Sequence, residues 1–172
     1  MARVLVLDGV SEQGVEVFRA RGIDVDVKPP QSPAELAAII GQYDGLVVRS
    51  ATKVNEEALA NPGKLKIIGR AGVGTDNIDK DAATKRGIVV MNTPGGNTIS
   101  TCEHTFALLL ALCRNVPLAN ESMQAGRWDR KNFMGTELCG KTLGVVGLGR
   151  IGGAVAKRAQ AFEMKVIAFD PI

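Results

Sequence analysis

The sequence predicts an α/β protein of parallel strands and crossover helices, organised in two parts. Two observations predict this class. Short β-rich runs alternate with helical stretches through the first 97 residues, and such alternation is typical of parallel strands connected by helices. A glycine-rich turn, Gly147-Leu148-Gly149-Arg150-Ile151-Gly152, then lies between an apolar run and a further helical stretch.

The first part contains five predicted β/α units. The predicted strands are Val4–Leu7, Val25–Val27, Leu46–Val48, Lys66–Ile68 and Ile88–Met91. The predicted helices are Glu12–Ala20, Pro33–Ile40, Asn55–Ala60 and Lys80–Lys85. Five such units in so short a stretch favour a small doubly wound domain with the flavodoxin-like strand order, which we place at residues 1–97.

A longer helix is predicted from Thr98 to Asn115 or slightly beyond. Ser100 and Glu103 have the spacing of a capping box, and Asn97 is a competing N-cap. Pro117 either ends the helix or kinks it. Because apolar side chains lie on several of its sides, we expect the helix to be buried between domains or against another subunit. These side chains are Phe106, Leu108, Leu109, Leu110 and Leu112.

The glycine-rich turn has the G-x-G-x-x-G spacing of a dinucleotide-binding fingerprint, and its neighbours support that interpretation. They are a predicted strand (Leu143–Val146), a predicted helix (Ile151–Phe162) and a second predicted strand (Val166–Phe169), which Asp170 follows. This order predicts the first part of a Rossmann NAD-binding domain at residues 98–172. The alternative is a glycine turn in a βαβ unit that binds nothing.

Each position of the turn has a physical role. Gly147 permits the tight turn out of the strand, Gly149 lets the backbone approach a pyrophosphate, and Gly152 lets the helix pack closely on the strand. The amide groups at the helix start, with the positive end of the helix dipole, bind phosphate. Asp170 can accept hydrogen bonds from ribose hydroxyls and would repel a 2′-phosphate, which favours NAD over NADP. Arg150 either clamps the pyrophosphate or is a solvated residue.

Unusual loops follow three strands of the first part. In a doubly wound sheet, ligands collect at the carboxyl ends of the strands. The loops offer guanidinium groups, a lysine, hydroxyls and glycine-freed amides, a set that suits an anion carrying both carboxylate and phosphate. The alternative is turn chemistry with surface charge. The loops are Arg49-Ser50-Ala51-Thr52-Lys53, Gly69-Arg70-Ala71-Gly72-Val73-Gly74 and Asn92-Thr93-Pro94-Gly95-Gly96-Asn97.

Charge and composition argue against a nucleic-acid or membrane partner. The net charge is only +3, and the densest basic stretch, Arg127–Lys131, contains an aspartate. The longest apolar run, Phe106–Cys113, is too short to cross a bilayer, and the N-terminus does not have the form of a signal peptide. The three cysteines lack metal-ligand spacing. We therefore expect a cytoplasmic protein with reduced, mostly buried thiols and no metal site.

Five stretches, spread over the whole chain, resemble the D-isomer-specific 2-hydroxyacid dehydrogenases. They are RSATKV, GRAGVGTDNID, VMNTPGGN, FMGTELCGKTLGVVGLGRIG and FDPI. The resemblance implies an NAD-dependent oxidoreductase whose substrate is a small, 3-phosphoglycerate-like anion, and a homo-oligomer in the full-length protein. It implies substrate-binding residues at Arg49, Ser50, Val73, Gly74 and Asn97. It implies cofactor-binding residues at Val73, Cys102, Gly147, Gly149, Arg150, Ile151, Gly152 and Asp170.

The resemblance also assigns roles to these residues. Arg49 would bind the substrate phosphate, the backbone around Val73 and Gly74 would hold the carboxylate, and Asn97 would sit beside the substrate. Val73 and Cys102 would border the nicotinamide. The residues of the glycine turn, with Asp170, would hold the pyrophosphate and the adenosine ribose.

No catalytic residue is expected within the chain. Members of the family use an arginine, a glutamate and a histidine that lie after the second strand of the nucleotide domain, which places them beyond Ile172. We expect an N-terminal, truncated part of a longer enzyme, inactive and with little cofactor affinity by itself. In such a chain the apolar side chains of the last two strands lack cover. They are Val145, Val166, Ile167 and Phe169.

His104 is the only histidine, and packing within the helix or between domains is the preferred interpretation for it. Two other functions stay open. One is a related hydroxypyruvate or glyoxylate reductase. The other is a non-enzymatic binding protein that pairs with full-length subunits through the Thr98–Asn115 helix.

Overall fold

The computed structural model describes residues 1–171, which form two compact units. The first unit is Met1–Gly96, and the second begins at Asn97. The division lies one residue before the boundary placed from sequence.

The first unit consists of strands and helices in alternation. Its strands are β1 (Arg3–Val6), β2 (Asp24–Val27), β3 (Gly45–Val48), β4 (Ile67–Arg70) and β5 (Val89–Asn92). Its helices are α1 (Glu12–Arg19), α2 (Pro33–Ile39), a 3₁₀ turn (Ile40–Gln42) and α3 (Lys80–Lys85). The predicted start of α2 is confirmed, because Ser32 and Glu35 form a capping box around Pro33.

The strands form one parallel sheet in the order β2-β1-β3-β4-β5, so the predicted flavodoxin-like order is confirmed. The register sets Val48 opposite Arg70 and Arg70 opposite Asn92. The last residues of the three neighbouring strands therefore lie in one row, and the loops that follow them leave the sheet at the same edge.

The two faces of this sheet are unequally covered. On one face, Leu5, Leu46 and Ile68 are fully or almost fully buried in a core that includes α2 and α3. On the other face, α1 covers Val4 and Val6. The β4–β5 side of that second face is open, and it lines an apolar groove of about 380 Å³. The exposed side chains on this open side of the sheet are Ile67, Val89 and Met91.

The predicted helix Asn55–Ala60 is wrong, since this segment forms hydrogen-bonded turns. The side chain of Asn55 accepts from the amide of Ala58, and the amide of Leu59 donates to the carbonyl of Asn55. Pro62 disfavours helical backbone at the residue before it, which leaves room for little more than one turn. Ala58 and Leu59 are nevertheless fully buried, so the apolar pattern there indicated burial correctly.

The second unit contains four helical segments and two strands. They are α4 (Thr98–Cys113), α5 (Val116–Gln124), a 3₁₀ turn (Arg130–Phe133), β6 (Thr142–Val146), α6 (Arg150–Ala161) and β7 (Lys165–Phe169). Strands β6 and β7 pair in parallel, with Val146 opposite Phe169. The predicted strand–turn–helix–strand order is confirmed.

The predicted long helix is divided. Asn115 adopts left-handed backbone (φ 53°), which ends α4, and Pro117 lies in the first turn of α5, where its missing N–H costs nothing. Asn97 occupies the predicted N-cap position of α4 but makes no side-chain hydrogen bond there. The predicted capping box does not form, since the Ser100 hydroxyl donates to the carbonyl of Asn97.

Burial along α4 is one-sided within the chain, and the expected burial of its other sides between domains or against another subunit stays a prediction. Cys102 and Phe106 pack in a core with α6, and the Phe106 ring stacks on Phe162 at 5.3 Å between centroids. Leu108 and Leu112 are 59% and 77% exposed. His104 is exposed as well, so its predicted packing is wrong for the described residues.

The two-stranded sheet buries one face only. Val145 is buried and Val166 is partly buried beneath the helices, contrary to the expectation that both lack cover. On the opposite face Val146, Ile167 and Phe169 are 85%, 63% and 64% exposed. The expected exposure therefore holds for Ile167 and Phe169.

Two further expectations concern cysteines and membranes. Cys102 is buried and Cys113 partly buried, but Cys139 is exposed, so the prediction of mostly buried thiols is wrong at that position. Among residues 1–171, no helix has both the length and the apolar character that a bilayer crossing requires.

A polar cluster at the amino-terminal edge of the first sheet involves Tyr43, Asp26 and Arg3. The Tyr43 hydroxyl donates to Asp26 at 2.7 Å, and the Arg3 guanidinium pairs with the same carboxylate at 2.6 Å and lies over the Tyr43 ring. Burial, then the hydrogen bond to Asp26 and its negative charge, raises the pKa of Tyr43 to about 12.

This shift gives a stability prediction. In the unfolded chain Tyr43 loses its proton near its ordinary pKa of about 10, whereas the folded chain keeps the proton up to about 12. Ionisation therefore favours the unfolded state, and the Tyr43 contribution to stability is present below pH 10 and lost towards pH 12. Urea unfolding at pH 9 to 12 should show a steeper alkaline loss for the wild type than for Tyr43→Phe. Equal slopes would contradict this assignment.

Candidate functional site

Asp8, which follows β1 and Leu7, holds the loop after β3. Asp8 has left-handed backbone (φ 63°), and its carboxylate accepts three hydrogen bonds. The donors are the amide of Arg49 (2.9 Å), the amide of Thr52 (3.1 Å) and the Thr52 hydroxyl (2.5 Å). Thr52 is fully buried. The carboxylate thus shapes the loop from inside, while the Arg49 side chain is exposed.

Asn77 connects this loop to the glycine-rich loop after β4. Its side-chain amide donates to the carbonyl oxygens of Arg49 (2.9 Å) and Thr52 (2.8 Å), and its oxygen accepts from Nε of Arg70 (3.0 Å). One side chain therefore ties the two arginine-bearing loops together.

The third loop is bonded to the second in turn. The Asn92 side chain donates to the carbonyl of Val73 at 2.6 Å, and the amide of Thr93 donates to the carbonyl of Gly72 at 3.0 Å. The three loops that the sequence placed at one sheet edge are thus joined into a single surface.

This surface carries two guanidinium groups, those of Arg49 and Arg70, and one exposed carboxylate, that of Asp76. Arg49 is exposed, and within residues 1–171 its guanidinium makes no hydrogen bond or ion pair. Arg70 is partly buried, and a Cβ added at Gly72 would lie 2.5 Å from its Nη1. Gly72 therefore leaves room for the Arg70 guanidinium to lie across the loop. A Cβ at Gly74 would likewise lie 2.6 Å from a carboxylate oxygen of Asp76.

Four of the five predicted substrate residues lie at this edge: Arg49, Ser50, Val73 and Gly74. The fifth, Asn97, is the exposed N-cap of α4 in the second unit, and its place beside a substrate stays a prediction. Sequence reasoning placed Asn92 in the third loop but missed Asp8 and Asn77 as members of the network. Asp8-Gly9 directly after an apolar run was the available signal for Asp8, whereas nothing local distinguishes Asn77 as a connector.

The start of the glycine turn of the second unit is bonded to the end of β7 and to Asp170, the residue that follows it. Gly147 has φ 90°, a conformation that favours glycine, and its amide donates to the carbonyl of Phe169 at 2.7 Å. The next amide, that of Leu148, donates to Oδ2 of Asp170 at 2.5 Å. The carboxylate therefore lies directly beside the turn.

The turn leaves space in front of α6. A Cβ at Gly149 would meet no protein atom within 4 Å, so this position faces open space, whereas a Cβ at Gly152 would overlap the carbonyl oxygen of Gly147. Gly149 is the N-cap of α6 and has no side chain that could accept a hydrogen bond from the first-turn amides. The first-turn amides of Arg150 and Ile151 have no acceptor within residues 1–171 and are available to an anion.

The remaining predicted cofactor residues differ in accessibility. Arg150 is exposed at the first helical position, and Ile151 is partly buried behind it. Cys102 is fully buried against α6. Packing of α4 on α6 involves this side chain, and its place beside a nicotinamide stays a prediction.

Comparison with known proteins agrees with this architecture. The family model of the D-isomer specific 2-hydroxyacid dehydrogenase catalytic domain matches residues 4–168. The chain belongs to this family. The match spans both compact units, and it includes the three loops of the first sheet and the glycine turn.

Individual family members are similar over the whole chain. A D-3-phosphoglycerate dehydrogenase of Archaeoglobus fulgidus is 55% identical over 169 residues, which are 98% of this chain and 32% of that protein. The D-lactate dehydrogenase of Aquifex aeolicus, solved with NAD and lactic acid, has a TM-score of 0.86 at 29% identity, over 98% of this chain and 51% of that one. The NAD⁺-bound 3-phosphoglycerate dehydrogenase of Entamoeba histolytica has a TM-score of 0.78 at 31% identity, over 99% and 54%. The chain thus spans about a third of the length of the curated relative and about half of each solved chain.

Adjacent glycines in α6 give a matched test of the turn. Gly152→Ala should destabilise the protein by about 1–3 kcal/mol, because its Cβ overlaps the carbonyl oxygen of Gly147 and the turn has to shift. Gly153→Ala should stabilise by about 0.5–1 kcal/mol, because alanine favours helix and the nearest atom, the carbonyl oxygen of Leu148, is 3.7 Å away. Urea unfolding followed by circular dichroism measures both. Equal effects of the two substitutions would show that the turn does not constrain Gly152.

Proposed function

We propose that the chain supplies the substrate-anion loops and the dinucleotide turn of an NAD-dependent D-3-phosphoglycerate dehydrogenase. This enzyme oxidises 3-phospho-D-glycerate to 3-phosphohydroxypyruvate in the phosphorylated route to serine. The observation that carries the proposal is the position of Asp170, whose carboxylate is bonded to the second residue of the glycine turn. The names of the relatives in Archaeoglobus fulgidus and Entamoeba histolytica support the same reaction.

The cofactor half of the proposal rests on the turn. The open space at Gly149 and the free first-turn amides of α6 suit a pyrophosphate, and Arg150 can approach it from the exposed side. Asp170, next to the turn, suits the two hydroxyls of an adenosine ribose and disfavours a 2′-phosphate. When bound, NAD accepts the hydride from C2 of the hydroxy acid.

The substrate half rests on the joined loops of the first sheet. The exposed Arg49 guanidinium suits a phosphate, and the glycine loop around Val73 and Gly74 suits a carboxylate through its amides. The side chain of Arg70, which lies across this loop, adds a second guanidinium to the same edge. A phosphate-bearing hydroxy acid is favoured over glyoxylate or hydroxypyruvate because the cations exceed what one carboxylate needs.

Oxidation of the hydroxy acid is expected to need residues other than these substrate- and cofactor-binding residues. The resemblance matches the arginine, glutamate and histidine that family members use to none of the candidate site residues, and His104, the single histidine of the sequence, lies on the exposed side of α4. We infer that the 172-residue chain binds ligands without turning them over.

Titration with NAD tests the cofactor half. In spectra of ¹⁵N-labelled chain, millimolar NAD should shift the amide signals of residues 148–152, and NADP should shift them less. Asp170→Ala should weaken NAD binding by about tenfold and bring the NAD and NADP affinities together, because the ribose loses a charged acceptor. Glu137→Ala, an exposed acidic position of the same unit, is the control and should change neither.

If Asp170→Ala weakens binding but leaves the ratio of the NAD and NADP affinities unchanged, the role of Asp170 is contradicted. When 3-phosphoglycerate is added to the same samples, the NADH absorbance at 340 nm should not rise above the detection limit of the assay. Steady formation of NADH would overturn the inference that the chain lacks turnover.

Replacement of Arg49 tests the substrate half. Arg49→Ala should raise the Kd for 3-phosphoglycerate by about tenfold or more, because a charge-assisted contact to phosphate is lost, and should leave the Kd for D-glycerate unchanged. Arg21→Ala, an exposed arginine after α1, controls for net charge. Isothermal titration calorimetry measures the affinities of the wild type and both variants for the two ligands. An equal loss for both ligands would contradict phosphate recognition by Arg49 and favour a reductase of unphosphorylated acids.

A further inference from the structure

Asn77 lies between the two arginine-bearing loops, and its side chain is engaged with protein rather than directed to a ligand. Its amide nitrogen donates to the carbonyl oxygens of Arg49 and Thr52, and its oxygen accepts from Nε of Arg70. Both N–H donors and one of the two acceptor positions of the amide are thereby used. Asn77 can affect a bound anion only through the residues that it holds.

The chemistry of its partners determines the orientation of this amide. Carbonyl oxygens accept hydrogen bonds and cannot donate, and Nε of an arginine donates and cannot accept. A flipped Asn77 would set its oxygen against two carbonyl oxygens and its N–H groups against a cation. A single orientation therefore satisfies all three contacts.

The three contacts connect two guanidinium groups to one rigid point. Arg49 is held through its own carbonyl, so the bond limits the backbone from which its side chain extends. Arg70 is held through Nε, so its two terminal nitrogens keep a fixed direction over Gly72. An anion that binds both arginines needs their separation to be set before it arrives, since ordering them on binding costs conformational entropy.

We propose that Asn77 is a positioning residue for anion binding: it sets Arg49 and Arg70 relative to each other. This inference rests on the proposed function, because it assumes that the anion binds at Arg49. It adds a residue that contacts neither substrate nor cofactor and whose loss weakens binding through the arginines.

The loop has other supports, so the role of Asn77 can be separated from folding. The carboxylate of Asp8 keeps its three hydrogen bonds to Arg49 and Thr52 when the Asn77 side chain is removed. The main chain of Asn77 accepts from the amide of Val54 at 2.8 Å, and this bond does not depend on the side chain. We therefore expect Asn77→Ala to fold, with a flexible connection between the two arginines.

A double-mutant cycle tests the proposal. The Kd for 3-phosphoglycerate is measured by calorimetry for the wild-type chain, Asn77→Ala, Arg49→Ala and the double variant. Asn77→Ala should raise the Kd by about five- to tenfold in the wild-type background and by less than about twofold when Arg49 is absent, because coupled residues are not additive. Asn55→Ala is the matched control, since it removes another asparagine-to-backbone bond in the same unit without touching either arginine.

Unfolding by urea is measured for every variant, and Asn77→Ser is the second variant. A loss of stability with an unchanged Kd, or an equal rise in Kd in both backgrounds, would overturn the positioning role. If Asn77→Ala and Asn77→Ser both unfold the chain, Asn77 is a structural residue and the proposal is likewise overturned.

The outcomes also separate this inference from the proposed function. If the wild type binds 3-phosphoglycerate and Arg49→Ala weakens it but Asn77→Ala does not, only the positioning role fails. If Arg49→Ala has no effect, or the wild type does not bind 3-phosphoglycerate, the proposed substrate site fails and the positioning role fails with it.

Discussion

The parallel register of β3, β4 and β5 is the constraint on which the candidate substrate site depends. Because Val48, Arg70 and Asn92 occupy one row, the loops after these strands are close enough for side-chain bridges. The bridges then combine two cations and a glycine-rich backbone at one edge. Asp8 introduces a negative charge at this edge, but its three hydrogen-bond donors satisfy that charge from within the protein. The positive groups are left for an external anion.

Much of the fold could be predicted from sequence, because it follows from local patterns. Alternation of β-rich runs and helices predicted the five strands and their order, and the bounds were wrong by only one or two residues. The errors arose where context decides. The segment at Asn55 forms hydrogen-bonded turns before Pro62, and the left-handed backbone of Asn115 divides the long helix. The apolar pattern of α4 does not determine how many of its faces are covered, and it does not show that Leu112 is exposed.

The two parts of the candidate site differ in predictability for a physical reason. The glycine turn is local: φ at Gly147 and the approach of Gly152 to the Gly147 carbonyl lie within six residues, so spacing alone indicates them. The substrate edge is held by bonds between residues far apart in sequence, such as Asp8 with Arg49 and Asn77 with Arg49. Such pairs depend on strand register, which the sequence pattern leaves open.

Each candidate site is supported from the covered side of its own sheet. Leu46 and Ile68, in the strands that lead to the substrate loops, are buried under α2 and α3. Val145, in the strand that leads to the glycine turn, is also buried. The open apolar faces, with Met91 in one unit and Phe169 in the other, lie on the opposite sides. Cover on those faces would add stability, at about 1.5–3 kcal/mol for each large side chain that becomes fully buried. The geometry of the substrate edge and of the turn is therefore a property of contacts already present within residues 1–171.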